Sequence, residues 1–572
     1  MVRLSQRPLW IVLVVAGIVR AATLGIGWSQ FAADPDAYDA IARTLARSGT
    51  IGLSHGRDEV SPTAFRPPLY PAILAVIHRR IIASEESFAD PRMAEAAEAT
   101  TETVRRSAIA GLHWVLGMLT VALTYLVAKK LLMPSSSGSE ATGESLPSPG
   151  GYSQRAVEPV AALAAVAVAV DPILLQSSVL VMTETLATAL AMAGLLIWTN
   201  LVVSAVPGAS DQSPVAPGAS DRRCRWGPSA RFFQRSVFQG LALGVVLGLA
   251  YLCRPTFIVW AALLIGYGCG HSLVRTLRRF SLWRCRSDRR IGAGDRSRRT
   301  FSTSRSMTSL LAFGCSGLVI LGFVAAWTFR NERQLGHPIW ATTHGGYTLL
   351  LGNNRSFFEY VRDGEFGVAW DPNEFFRRWE QRTRSDPRSP RFWAEERVAA
   401  DPAWRSERPA AGDEVAEDRL AYETAKRAIA DDPAGFFLAC VWRIGRLLGP
   451  MPQRQLAGGA ENRRSADRIG RIRAAGWGVV LVTLFYVVVT ASAAWGWTIV
   501  VRRRWHPGWF GALALVLSLI AVHTFYWSNM RMRAPAIPVL AILAVVPLAG
   551  WRRFDEVIGD GSPGCVAATD RH

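Results

Sequence analysis

Between Ala33 and Pro71 the chain reads ADPDAYDAIARTLARSGTIGLSHGRDEVSPTAFRPPLYP, with Asp34, Asp36 and Asp39 gathered around Pro35. A fixed, ionised carboxylate takes the proton of a hydroxyl, so Asp34 and Asp36 are candidate general bases. The same three residues also read as a helix start, with Asp34 as N-cap, Pro35 at the first helical position and Asp36 opposing the helix dipole. The corner Arg66-Pro67-Pro68-Leu69-Tyr70-Pro71 fixes the angle at which the chain meets an apolar run. Arg66 would lie there at headgroup depth, where a guanidinium suits a phosphate or serves as an interfacial anchor. Further along, Glu184 lies inside apolar sequence (LVMTETLATAL), where an ionisable group is a functional candidate by default. Arg254-Pro255, Arg330-Asn331 and the group His523, Arg531 and Arg533 add polar and cationic side chains at the ends of other apolar runs.

Positioning these groups falls to a membrane bundle. Half of the 572 residues are hydrophobic, and they come in blocks near the roughly 20 residues that cross a bilayer. The 21 tryptophans suit interfacial anchoring. The first block, Leu9 to Trp28, is interrupted by Arg20, which either snorkels outward or faces a phosphate. Ser107 to Leu132, Thr308 to Phe329, Trp477 to Val500, Trp509 to Trp527 and Ala534 to Leu548 read as spans. The block from Val157 to Val203 must cross at least twice, and the pair Val237–Cys253 and Thr256–Tyr267 meets at Arg254-Pro255. The expectation is an all-α polytopic protein of about 10–12 spans with a small, mostly helical extracytoplasmic domain. Its divisions are an N-terminal transmembrane module over 1–329 with a first outer loop at 29–106, an outer domain at 330–475, C-terminal helices at 476–551 and a cytoplasmic tail at 552–572. Within the outer domain, Asp418 to Leu448 has helical periodicity broken at Asp432-Pro433, its second half reading as an amphipathic interfacial helix.

The net charge of +19 is concentrated in a few inter-helix loops, above all Arg275 to Arg305, as the positive-inside rule marks cytoplasmic segments. No nucleic-acid motif accompanies it, and no nucleic-acid partner is expected. With the N-terminus inside, and Leu69 to Ala83 juxtamembrane or re-entrant, the basic loops fall inside. Asp34, Asp36, Arg66, Arg254, Arg531 and Arg533 then fall outside, which puts the candidate site on the extracytoplasmic face of an integral inner-membrane protein. Seven cysteines without a CxxC pair indicate neither a disulfide framework nor a zinc site. No tight His, Asp and Glu cluster stands out, so no metal site is assigned, and a divalent metal is left open.

The ordered set of features resembles the membrane-embedded glycosyltransferases of the GT-C fold, above all the bacterial branch of the protein O-mannosyltransferase and aminoarabinose-transferase superfamily (family 39-like). The features are Arg20 in the first span, Asp34 with Tyr38 in an acidic outer loop, and the PTAFRPPLYP corner. They continue with Asp171-Pro172 to Thr183-Glu184, Arg254-Pro255, WTFRN followed by GGYTLLLGNN, and MRMRAPAIPVL. The sequence has D-P-D where many members have adjacent Asp-Glu, so the base stays open between Asp34 and Asp36, and its cytoplasmic linkers look expanded. The resemblance implies inverting transfer of a sugar from a polyprenyl-phosphate donor to a hydroxyl of a lipid, glycan or protein acceptor. It implies a substrate-binding set of Arg20, Arg66, Tyr70, Glu184, Arg254, Arg330, Asn331, His523, Arg531 and Arg533. Spacing to the tyrosine favours Asp34 as base. A transporter or lipid flippase is the competing reading, but it predicts two matching halves with interrupted helices, which the sequence lacks. A non-catalytic scaffold is the third.

Overall fold

The computed structural model describes residues 7–34, 36–54, 60–85, 94–133, 154–204, 228–284, 293–364, 370, 372, 375, 414–450, 468–503 and 505–549. The linkers at 134–153 and 205–227, much of the 330–475 region and the 552–572 tail lie outside them.

Seventeen described helices follow in chain order: α1 (Arg7–Ile26), α2 (Tyr38–Ser48), α3 (Leu69–Glu85), α4 (Ala94–Leu132), α5 (Gln154–Ala169), α6 (Pro172–Ser178), α7 (Glu184–Ser204), α8 (Pro228–Cys253), α9 (Phe257–Arg284), α10 (Ala293–Leu335), α11 (Gly345–Gly352), α12 (Arg355–Asp363), α13 (Glu414–Asp431), α14 (Pro433–Leu448), α15 (Arg468–Arg503), α16 (Pro507–Phe525) and α17 (Ile537–Val545). A hairpin of β1 (Gly52–Ser54) and β2 (Val60–Pro62), with Leu53 opposite Ser61, interrupts the helical order. The protein is a polytopic helical membrane protein.

Among the described residues eight helices are long and apolar enough to cross a membrane: α1, α4, α7, α8, α9, α10, α15 and α16. The pair α5 and α6, bent by 51° at Asp171, adds a ninth if it counts as one span. The last segment, expected to span from Ala534, is not among them. MRMRAPA winds as a 3-10 helix (Met530–Ala536) before nine-residue α17, which is only about 14 Å long. Other helices outrun their apolar cores: α4 begins in the acidic stretch at Ala94, and α10 continues past Phe329 to Leu335.

Small residues set the closest packing. Gly240, Gly244 and Gly248 form a stripe on α8 against Ala312, Ser316 and Phe323 of α10, and the Ser316 hydroxyl donates to the carbonyls of Gly240 (2.7 Å) and Ala312 (2.9 Å). This is the small-residue contact that lets helices associate where no water drives them together. Buried Trp198 and Trp260 donate indole N–H groups to the carbonyls of Pro507 (3.3 Å) and Gly511 (3.0 Å), binding α7 and α9 to α16.

At one end of the bundle Lys129 pairs with Glu158 at 2.6 Å. At the other end meet the C-termini of α1, α8, α10 and α16 and the N-termini of α4, α7 and α9. Helices α11 to α14 cover that end over an aromatic core of Phe357, Trp370, Trp442 and Trp527. As the sequence predicts, Asp432-Pro433 starts α14: Asp432 accepts from the N–H of Gly435 at 2.8 Å. Phe437, Leu438 and Val441 stay exposed along α14.

Candidate functional site

The first loop does not begin its helix where Asp34 and Pro35 suggest. Ala37 takes a left-handed conformation (φ 59°), and α2 starts at Tyr38 with Ala37 as its N-cap residue. Asp34 nonetheless serves the helix start from outside, its Oδ2 accepting from the N–H of Ala40 at 2.9 Å. Its Oδ1 is buried and has no hydrogen-bonding partner among the described residues. Burial raises its pKa above the ordinary carboxylate value, against the backbone N–H groups that lower it.

Two residues on, Asp36 is paired. The Arg66 guanidinium donates from Nη2 to Asp36 Oδ1 and from Nε to the Asp36 carbonyl, both at 2.8 Å. Arg66 also lies over the rings of Phe65 and Tyr38, at 4.5 and 5.5 Å.

The third carboxylate, Asp39, is committed to structure. Fully buried, it takes His78 Nε2 at 2.8 Å on Oδ1 and Arg43 at 2.6 Å on Oδ2, with Arg105 Nη1 at 3.4 Å. Burial alone would push its pKa up, but the His78 hydrogen bond and the charges of Arg105 and Arg43 bring it down to about 2. This lock joins α2, α3 and α4.

Glu184 stands at the first position of α7 with no exposed surface. Arg254 Nη2 approaches its Oε1 at 3.0 Å and Arg531 Nε at 3.1 Å, and Arg254 Nε donates to Thr183 Oγ1 at 3.0 Å. Residues more than 340 positions apart in the chain therefore share one carboxylate. Tyr38 joins this group to the Arg66–Asp36 pair, since its hydroxyl lies within electrostatic reach of Arg66, Asp36, Arg254 and Glu184. His523 is likewise within reach of Arg254, and its Nδ1 faces the carbonyl of Trp527 at 3.2 Å.

The remaining sequence candidates lie around this group rather than in it. Tyr70 is buried, its hydroxyl 2.8 Å from His113 Nε2. Because His113 Nδ1 donates to the Ser178 carbonyl (2.8 Å), Nε2 is the acceptor and Tyr70 the donor. Arg330 donates to the carbonyls of Ile51 (2.6 Å) and Thr63 (2.8 Å), strapping the β-hairpin to α10. Asn331 is buried beside it and donates to the Ile339 carbonyl at 2.7 Å. Arg533 donates to the carbonyls of Leu447 and Gly449 at the end of α14 and stacks on Tyr486. Arg20 does not snorkel: at 2% exposure it turns inward, in the space that Gly117 leaves open, within reach of the Asp171 charge.

Sequence reasoning passed over the Asp39, His78 and Arg105 lock, and also Thr343 and His344, which pack against Phe65 next to Arg66. The only signal for the latter was a polar pair immediately before the GGYTLLLG helix. Among the described residues no three His, Cys, Asp or Glu side chains gather as a metal site.

No protein-family model matches the sequence, and no curated protein matches it significantly. Among solved structures, the oligosaccharyltransferase AglB of Archaeoglobus fulgidus, in complex with an inhibitory peptide and a dolichol-phosphate, aligns over 98% of this chain at 14% identity with a TM-score of 0.39. The Archaeoglobus fulgidus oligosaccharyltransferase tethered to an acceptor peptide aligns over 97% at 12% identity with the same TM-score. The chain spans about half of their length, 52% in each case. At that similarity the match carries no residue correspondence.

Proposed function

We propose that the protein is a membrane glycosyltransferase of the GT-C type. It moves a sugar, with inversion, from a polyprenyl-phosphate donor to an acceptor hydroxyl on the extracytoplasmic face. The observation that carries this reading is the convergence of Arg66, Arg254 and Arg531 on Asp36 and Glu184 around Tyr38. Three guanidiniums gathered at the end of a membrane bundle suit a lipid-borne phosphate.

In the proposed reaction the acceptor oxygen attacks the anomeric carbon as its proton passes to a carboxylate. The bond from that carbon to the phosphate oxygen breaks, and polyprenyl phosphate leaves with the bonding electrons. A phosphate is a competent leaving group without a general acid, provided cations meet the charge that grows on it. Arg254 and Arg531 are assigned that task, held by Glu184. The base is assigned to Asp34. Asp36 is neutralised by Arg66, whereas Asp34 keeps a buried oxygen without a partner among the described residues and a raised basicity.

The test is sugar transfer in membranes containing the full chain, using a panel of labelled polyprenyl-phosphate sugars. The Asp34→Asn/Asp36→Asn double variant is expected to lose transfer at normal protein level. Undiminished transfer would remove the assignment.

A further inference from the structure

Beside the Arg66–Asp36 pair stand two polar side chains that no contact described above uses for hydrogen bonding. The N–H of Thr343 donates to the Ala64 carbonyl at 3.0 Å, which sets residues 343 and 344 alongside Phe65 and Arg66. The His344 ring meets Phe65 edge-on, with 4.7 Å between centroids, and lies tilted against Tyr347 at 5.0 Å. These contacts hold the ring in place but satisfy neither nitrogen, and among the described residues no hydrogen-bonding partner reaches them. Thr343 Oγ1 is also without a partner there, although the residue is only 6% exposed. A buried hydroxyl left unpaired is destabilising, because it has given up its hydrogen bonds to water. Two adjacent unfilled groups next to the cationic cluster indicate something that completes them.

We propose that Thr343 and His344 form a hydroxyl-binding corner of the site, taking a hydroxyl of the glycosyl donor or of the acceptor. This rests on the transferase reading above. The charge state of the imidazole fits the role. Burial, and then the charge of Arg66, hold its pKa well below the ordinary histidine value, so the ring is neutral at physiological pH. A neutral imidazole presents one N–H donor and one lone pair, and the Thr343 hydroxyl adds a rotatable donor and acceptor. That pairing matches a hydroxyl, which must both give and accept, better than it matches the anionic phosphate. The corner binds and orients, and no proton transfer is assigned to it.

The experiment uses the purified full chain in lipid nanodiscs, with the donor for which the wild type is most active. His344→Phe keeps the aromatic contacts and removes both nitrogens, and Thr343→Val keeps the shape and removes the hydroxyl. Each is expected to raise one KM about tenfold while kcat changes less than twofold and the melting temperature holds, as the loss of one hydrogen bond predicts. His344→Gln is expected to recover part of that loss. A rise confined to the donor KM places the hydroxyl on the sugar, and a rise confined to the acceptor KM places it on the acceptor. Binding of undecaprenyl monophosphate, which has no sugar hydroxyl, should be the same in wild type and variants. Unaltered KM values in His344→Phe, or losses that only follow a lowered melting temperature, overturn the corner and leave the transferase reading intact. A wild type that neither binds undecaprenyl monophosphate nor transfers from any donor overturns both.

Discussion

Replacing Glu184 by Gln keeps the shape of the side chain and removes the one charge that Arg254 and Arg531 share. Breaking a buried ion pair from one side costs about 3–5 kcal/mol, because the partner stays buried with its charge uncompensated. Here Arg254 is 16% exposed and Arg531 30% exposed at the side chain, while Glu184 has no exposure. Arg531 recovers some hydration, so the lower end of that range, about 3 kcal/mol, is expected for Glu184→Gln. Removing Arg531 as well relieves part of the repulsion. The double variant Glu184→Gln/Arg531→Gln should then lose at least about 1 kcal/mol less than the sum of the singles, as side chains in direct contact do. Denaturant titration in mixed micelles gives all four corners of the cycle. A Glu184→Gln protein within about 0.5 kcal/mol of wild type, or strictly additive losses, would show that the two arginines do not depend on this carboxylate. The proposed phosphate clamp would then lose its support.

Other consequences follow from single positions. With burial raising the Asp34 pKa, the acid limb of kcat/KM should lie above the ordinary carboxylate range, and Asp34→Asn should lower kcat by about 10²–10⁴. A limb at or below pH 4 would contradict the base assignment. A methyl group at Gly240 meets the Ala312 backbone, which cannot step aside, whereas nothing lies within 4 Å of Gly314. Gly240→Ala should therefore destabilise the α8–α10 pair by about 1–3 kcal/mol, and Gly314→Ala should be neutral in the same titration. Asp418 in α13 has its pKa raised by burial to about 6 while accepting from the N–H of Gly346 at 2.6 Å. Its contribution is complete below the unfolded value and is lost as pH rises through about 6. Asp418→Asn, which can still accept that bond, should accordingly gain up to about 3 kcal/mol at pH 7 relative to wild type. Asp39 behaves oppositely: held at about 2, it stabilises the fold above pH 4 by about 2 kcal/mol and loses this as pH falls through 2.

Much of the bundle was legible because the bilayer imposes one length and one polarity on a crossing helix. Span centres such as 107–132 and 308–329 were therefore plain, while their ends were not. Helix α4 continues N-terminally through Glu102 because Arg105 and Arg106 pair with that glutamate at 2.6 Å, a local bond that no hydropathy window registers. The start of the segment after Tyr526 was hidden for the opposite reason. Its apolar content suggests a span from Ala534, but Met530–Ala536, with Pro535 inside it, winds as a 3-10 helix, and the α-helix begins only at Ile537 with Pro538 in its first turn. The β-hairpin was invisible because its strands are three residues each, and its anchor, Arg330, comes from α10 nearly 280 positions away.

For the site, sequence identified charged residues but could not rank them, because ranking depends on who else reaches each charge. Arg66, Arg254, Arg330, Arg531 and Arg533 look alike in one dimension: each is an arginine at the edge of an apolar run. In three dimensions Arg330 and Arg533 spend donors on backbone carbonyls at a hairpin and a helix end, which fixes them as fasteners whatever else they meet. Arg66, Arg254 and Arg531 instead meet carboxylates, and those carboxylates are fewer than they are. The same sorting separates the acids: Asp39, Asp36 and Asp34 lie within six residues, yet one is locked by two arginines and a histidine, one by a single arginine, and one keeps an oxygen free of any described partner. Function in such a bundle is carried by what remains after the fold has used its polar groups, so the buried atoms left without a hydrogen-bonding partner among the described residues at this end, on Asp34, Glu184, Thr343, Arg531 and Arg533, are where a substrate has something to bind.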